Sequence, residues 1–302
     1  MPRENTHLFF AQGAKKVNKE LLDIINNNIE YFYLGSVFPD CFFYSAKNDV
    51  QLISDFLHGK DGNLTNKIIF EMLDKARQDK NEKLFILALG FISHCYLDIV
   101  FHPVVYYLTG NYYDEDETIR KEAVYRHRHM EVILDRKVNN KYYFEELVVW
   151  KSFNNDEIFG FISDKLDIPL SDIKSSLRKQ YLYNILFRSK IFYKFIHILH
   201  KIRLIKDSNI LALFYNHFDD SEPLEDDIYY KDLLSGEKSK KRIKELFDYA
   251  ELKSKSAMYS AYKYYKGEET RNRAELNIGG ESLNTGYKNL AVKDIKYYLK
   301  TK

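Results

Sequence analysis

His94, Asp98 and His102 stand at intervals of four residues, and His127 stands four before Glu131. In an α-helix, residues four apart lie one turn above each other on a single face. The first stretch therefore aims two imidazoles and a carboxylate one way, and the second aims an imidazole and a carboxylate. A divalent zinc-like ion takes these donors when it performs hydrolysis and keeps a position open for water. His7, Asp40 and His58 add three more donors of the same kinds.

Together His7, Asp40, His58, His94, Asp98, His102, His127 and Glu131 exceed what one tetrahedral ion needs. They suit two or three ions sharing a bridging carboxylate. Ions about 3.5–4 Å apart stabilise the attacking and leaving oxygens of an in-line displacement at phosphorus, and they acidify bound water. The chemistry that needs this arrangement is phosphoester hydrolysis. HxxxD or HxxxE alone recurs by chance in many helical proteins. The weight lies in their succession, with Asp98 shared inside HxxxDxxxHP. Leu84 to Ile92 make the preceding stretch strongly apolar, so unpartnered His94 and Asp98 there would cost several kcal/mol. A buried, hydrogen-bonded His–Asp pair without metal is the simpler alternative.

The elements that must position these residues read as helices along most of the chain, because apolar residues recur at helical spacing and strand-like alternation is scarce. A first helix is expected over about 6–26 with Thr6 as N-cap. A loop over 34–40 follows, since Pro39 disfavours helix at Phe38. Helices are expected at about 49–58, 64–79 and 81–101, the last ended by Pro103, and at 117–136. Asn139-Asn140-Lys141 reads as a turn before helices at about 142–150, 155–164, 170–183 and 185–204. Residues 219–232 are acidic, carry Pro223 and read as a surface loop. A long helix over about 238–265 comes next, then a glycine-rich irregular segment from Gly279 to Gly286 and a short terminal helix. The chain shows neither an internal repeat nor a low-complexity linker. The expectation is a single all-α domain over 1–302, with the metal cluster in 6–131 and further helices in 142–302.

Hydrophobic residues make up 45% of the 302, enough for a sizeable core. Forty-six Lys and Arg against 44 Asp and Glu leave +2, which gives no case for nucleic acid as the main partner. The run Lys238-Ser239-Lys240-Lys241-Arg242 reads as a solvated helix face. Leu8 to Ala11 is too short for a signal segment, and no apolar run reaches the ~18 residues of a membrane span. A cytoplasmic protein without a transmembrane segment is expected. Cys41 and Cys95 each adjoin a candidate ligand and read as small buried thiols.

His129, two residues before Glu131, would sit on another side of the helix from His127. His197 and His200 have no nearby carboxylate and read as part of an amphipathic helix, and His217 as part of a solvated turn. Phe42, Phe43 and Tyr44 follow Asp40 directly and could wall a substrate pocket. They would take a choline-like head group by cation–π contact, or stack nucleobases. Most of the 25 Tyr and 21 Phe are expected in the core.

Thr6-His7, Leu34-Gly35-Ser36-Val37-Phe38-Pro39-Asp40, Leu57-His58, Gly90 to Asp98 with Phe101-His102-Pro103, and His127 to Glu131 run in an order that resembles the zinc-dependent phospholipase C family. That family includes secreted phosphatidylcholine-hydrolysing enzymes and the N-terminal part of GPI-specific phospholipase D, and fungal single-strand nucleases share its fold. The motifs cover about residues 6 to 131, and Asn284-Thr285-Gly286 is a fainter echo. The resemblance implies one zinc held by Asp40, His58, His94 and Asp98, and a second held by His102, His127 and Glu131. A third would take His7 and share Asp98 as the bridge. Asp40 is similar to the family aspartate that serves as ligand and general base. Secreted members complete the third position with a processed N-terminal amine; here Met1 stands six residues before His7, so two or three ions are expected. The interval from Asp98 to His102 is shorter than in those enzymes, so His102 is expected to reach its ion from a helix end.

These readings point to a metal-dependent phosphodiester hydrolase acting on a phospholipid or a small phosphodiester, with transient contact to a membrane surface. The alternatives are a nuclease or nucleotidase on the same cluster, and a non-catalytic helical protein braced by a structural metal.

Overall fold

The helical spacing of the apolar residues is realised along nearly the whole chain in a computed structural model, which describes residues 3–138, 144–217 and 225–299. In order the helices are α1 (Glu4–Ala14), α2 (Lys19–Asn27), α3 (Ile29–Gly35), α4 (Asn48–Leu57), α5 (Lys67–Asp79), α6 (Glu82–Thr109) and α7 (Glu117–Val138). Then come α8 (Phe144–Leu147), α9 (Asp156–Leu166), α10 (Leu170–Leu186), α11 (Lys190–Lys201), α12 (Ile243–Lys266) and α13 (Arg271–Asn277). A 3₁₀ turn spans Phe38–Tyr44, and a two-stranded antiparallel ribbon, β1 (Asp227–Lys231) and β2 (Lys238–Arg242), precedes α12. The all-α expectation holds. The turn expected at 139–141 lies outside the described residues.

Helix α6 is the axis of the core. Asn81 caps it by accepting from the Leu84 amide at 3.0 Å. Helices α1, α3, α5 and α12 pack around it. Its residues from Leu84 to Leu89 are buried on every side. The helix is long and apolar enough to pass for a membrane span, contrary to the sequence expectation, yet most of its apolar stretch is buried inside the fold. That is the signature of a central core helix.

Several expectations need correction. The first helix is two: after Ala14 the chain turns, and Asn18 starts α2 by accepting from the Leu21 amide at 2.8 Å. Thr6 lies inside α1, where its amide and hydroxyl both donate to Asp135. The basic run at 238–242 is a strand, pairing Lys240 with Tyr229 and Arg242 with Asp227. Spaced charges on a solvated ribbon carry no apolar period to distinguish the two. The preceding acidic stretch correspondingly contributes β1.

Pro103 does not end α6, which continues to Thr109. A proline leaves the carbonyl four residues back without its helical donor. Here that carbonyl, on Ile99, is covered by the turn at Gly286, where φ is 75° and an added Cβ would stand 3.1 Å from it. Tertiary packing thus tolerates the proline, and His102 sits within the helix instead of at its end.

Candidate metal centre

Because α6 runs unbroken, His94, Asp98 and His102 form one buried stripe. Asp98 is its hub. Its Oδ2 lies 3.1 Å from His94 Nε2 and 3.4 Å from His58 Nε2. Its Oδ1 lies 3.3 Å from His7 Nε2 and 3.8 Å from His102 Nε2. Asp40 Oδ1 closes the first group at 3.1 Å from His58 Nε2 and 3.8 Å from His94 Nε2. On α7, His127 Nε2 stands 2.9 Å from Glu131 Oε1, and both group with His102. The eight predicted donors fall into three adjoining sets: His7, His94 and Asp98; Asp40, His58 and His94; His102, His127 and Glu131.

Each element is fixed so that its ring nitrogen faces inward. The His94 Nδ1 lies 3.0 Å from the Ser36 carbonyl, the His58 Nδ1 2.6 Å from the Ser54 carbonyl and the His102 Nδ1 2.7 Å from the Leu283 carbonyl. A carbonyl on Nδ1 sets the tautomer that leaves Nε2 free as a ligand. His7 is stacked on His94 with ring centroids 4.0 Å apart.

The donor set fits cations better than a hydrogen-bonded network. Bonds of about 2.0–2.2 Å to a tetrahedral ion put neighbouring donors about 3.3–3.6 Å apart. Separations within the Asp40, His58, His94 and Asp98 group run from 3.1 to 3.8 Å around that value. Both Asp98 oxygens, Asp40 Oδ1, His102 Nε2 and both ring nitrogens of His7 are buried and make no hydrogen bond. Unsatisfied buried carboxylates are costly, and divalent ions would satisfy the Asp98 and Asp40 oxygens together with one ring nitrogen each of His102 and His7.

Protonation follows the same division. Burial, and for His94 the neighbouring His7, keeps the His94 and His102 imidazoles below their ordinary value and so neutral, as ligands require. Asp98 sits well below the carboxylate range: burial opposes this, but His102, His94 and His7 outweigh it. Asp40 is pushed up by burial. His58 is raised to about 10 although burial opposes it, because the Asp40 and Asp98 carboxylates stand beside its Nε2. The Asp40–His58 pair is therefore where the cluster holds a proton, which metal binding would release.

The profile of the family described as zinc dependent phospholipase C matches residues 6–176, more than half of the chain. The chain belongs to the zinc-dependent phospholipase C family. No curated protein and no solved structure matches it. The matched span holds all eight donors and α1 to α9, so the family's zinc and the clustered imidazoles and carboxylates point the same way.

In this family member the cluster opens into a cleft of about 730 Å³. Asp40, His58, His102, His127 and Glu131 line it, whereas His7, His94 and Asp98 lie behind them in the core. Phe43 and Tyr44 line the cleft as expected, with the Phe43 ring 5.6 Å from that of His58. Phe42 does not; it is fully buried, edge-to-face with Phe38 at 5.5 Å. In a 3₁₀ turn residues three apart eclipse, so Phe43 follows Asp40 to the cleft and Phe42 follows Pro39 into the core.

His127, not His129, joins Glu131. His197 lies 3.2 Å from the Tyr193 hydroxyl, and His200 lies 3.0 Å from the Ile205 carbonyl. His217 is held between the hydroxyls of Tyr125 and Tyr193, each at 2.9 Å, instead of in a solvated turn. Cys41 and Cys95 are free and buried.

Sequence reasoning gave no role to two supports. Asp135 continues the His127–Glu131 stripe by four residues, and it fixes α1 through Thr6 while accepting from Tyr215 at 2.5 Å. That spacing was a readable signal. The other is the segment at 283–284: Leu283 orients His102, and the Asn284 amide donates to the His58 carbonyl at 3.2 Å. Asn284 also accepts from Tyr106 at 3.0 Å.

Proposed function

We propose that the protein is a phosphodiesterase of phospholipase C type, cleaving a phospholipid or a related small phosphodiester. The observation that carries this is Asp98, one carboxylate surrounded by four imidazole nitrogens, in a cluster opening onto an aromatic cleft. In this reading Asp40, His58, His94 and Asp98 hold one zinc, and His102, His127 and Glu131 hold a second. His7 with Asp98 begins a third position. The residues that would complete it near Met1 lie outside the described part of the chain. Bound ions would supply Lewis-acid charge at phosphorus and an acidified water.

The protein's own groups do the rest. Asp40, at the cleft floor and relieved by bound metal of the proton it shares with His58, is placed to accept a proton from an attacking water. Phe43 and Tyr44 offer ring faces and edges to the substrate beside it. Outside the cluster, the cleft carries the carboxylates of Glu4, Asp55 and Asp207 against the guanidiniums of Arg3 and Arg128. A polyanion would meet as much repulsion as attraction there, so a lipid or small phosphodiester suits the cleft better than a nucleic acid.

A panel of phosphatidylcholine in mixed micelles, a soluble chromogenic phosphodiester and single-stranded DNA, run with quantified metal content, tests the reading. Hydrolysis of the first two is expected. The Asp40→Asn variant should lose activity by about 10³-fold while keeping its helix content. Cleavage of DNA alone would transfer the site to the nuclease reading.

A further inference from the structure

The chain leaves the cleft wall at Phe187 and returns to it at Asp207. Between these points α11 and the turn after it present an apolar stripe to solvent: Ile191 is 83% exposed, Phe195 54%, Ile198 57%, Ile202 59% and Leu204 71%. The intervals of four, three and four from Ile191 to Ile202 put them on one side of the helix. The opposite side is already occupied. Phe192, Ile196 and Leu199 pack with Phe187, Leu211 and Phe214 in a small cluster separate from the main core. The exposed stripe is thus surplus to folding, and contiguous exposed apolar surface usually marks an interaction site.

Charge identifies the partner. Residues 190–206 carry Lys190, Lys194, Lys201, Arg203 and Lys206 and no Asp or Glu, in a chain with a net charge of +2. None of these five makes an ion pair among the described residues. Several lysines on other helices are matched within the helix, as Lys121 with Glu117, Lys244 with Asp248 and Lys255 with Glu251. By helical angle Lys190, Lys194 and Lys201 flank the apolar stripe on one side. Lysines beside an outward apolar stripe can lay their stems on hydrocarbon and their ammonium groups among phosphates. A second copy of this chain would bring ten unmatched cations together across a two-fold axis, which repulsion disfavours.

We propose that α11 and the turn through Leu204 are the lip by which the protein seats on an anionic lipid bilayer, holding the cleft against the membrane. This rests on the phospholipase reading for its purpose but not for its measurement. Binding is read by sedimentation with vesicles of equal phosphatidylglycerol and phosphatidylcholine, against vesicles of phosphatidylcholine alone. Rate is read separately on a soluble short-chain phosphodiester.

The parent is expected to sediment with the anionic vesicles, less so at raised salt. The double variants Phe195→Asp with Ile198→Asp, and Lys194→Glu with Lys201→Glu, should each bind about tenfold or more weakly. Both should keep helix content and the rate on the soluble substrate. A parent that stays in solution beside anionic vesicles overturns the proposal, as do variants that bind as tightly as the parent. A dimer of the parent dissolved by the same substitutions would assign the face to a second copy and overturn it too. A parent inactive on the soluble substrate counts against the phosphodiesterase reading alone.

Discussion

Gly35 and Gly90 meet without a side chain between them where α3 crosses α6. A Cβ on Gly35 would stand 2.2 Å from the Leu87 carbonyl oxygen, and one on Gly90 2.1 Å from that of Phe32. The crossing has a direct consequence for the site. Ser36 follows Gly35, His94 lies one turn after Gly90, and the Ser36 carbonyl lies 3.0 Å from the His94 ring. Gly90→Ala should therefore cost about 3 kcal/mol or more, since backbone obstructs the new methyl on the partner helix. Denaturant unfolding checks this; a fully stable variant would mean the two helices separate without penalty.

Asp98 lies within reach of four imidazoles. Asp98→Asn should lower metal content by at least one ion per chain and reduce hydrolysis on the order of 10²–10³-fold. Chelation of the parent should lower its melting temperature by several degrees, because ions that bind only the folded chain stabilise it. Unchanged ion stoichiometry in the variant would remove Asp98 from the centre of the site.

Asp135 gives stability a pH dependence of known sign. Burial raises its carboxyl from 3.8 to about 6, despite Arg3, Thr6 and Tyr215 pulling the other way. The folded state therefore binds this proton more tightly than the unfolded state. The stabilisation is complete below about pH 4 and is lost as pH rises through about 6. The stability of the parent minus that of Asp135→Asn should fall by on the order of 3 kcal/mol between about pH 4 and 7. A difference that stays flat, or rises, over that interval would contradict the assignment.

Gly286 holds the turn that brings the Leu283 carbonyl to His102, with φ at 75°. Gly286→Ala strains that turn and crowds the Ile99 carbonyl and the Pro103 ring, at 3.1 and 3.3 Å. A stability loss of about 1–2 kcal/mol is expected. Zinc affinity should fall about 10–100-fold, because His102 loses its orienting partner. Competition against a chromogenic chelator measures it, and an unchanged affinity would leave the turn as scaffolding only.

The amino-acid sequence by itself determined the stripes. A period of 3.6 forces His94, Asp98 and His102 onto one face, and His127 with Glu131 onto another, whatever else the chain does. The apolar surroundings of the first stripe already required partners for its polar groups. What only the tertiary structure decided was convergence. His7 and His58 reach Asp98 because α1 packs against α6 and α4 packs against the 3₁₀ turn at Phe38–Tyr44, and no local period encodes that meeting. The length of α6 was likewise hidden, since a distant turn at Gly286 shelters the carbonyl that Pro103 exposes. Phe42 and Phe43 look equivalent as neighbours in sequence, and the 3₁₀ turn alone sends one to the core and the other to the cleft. Short-range spacing fixes which side chains share a face, whereas burial and backbone contact between remote segments fix which faces meet.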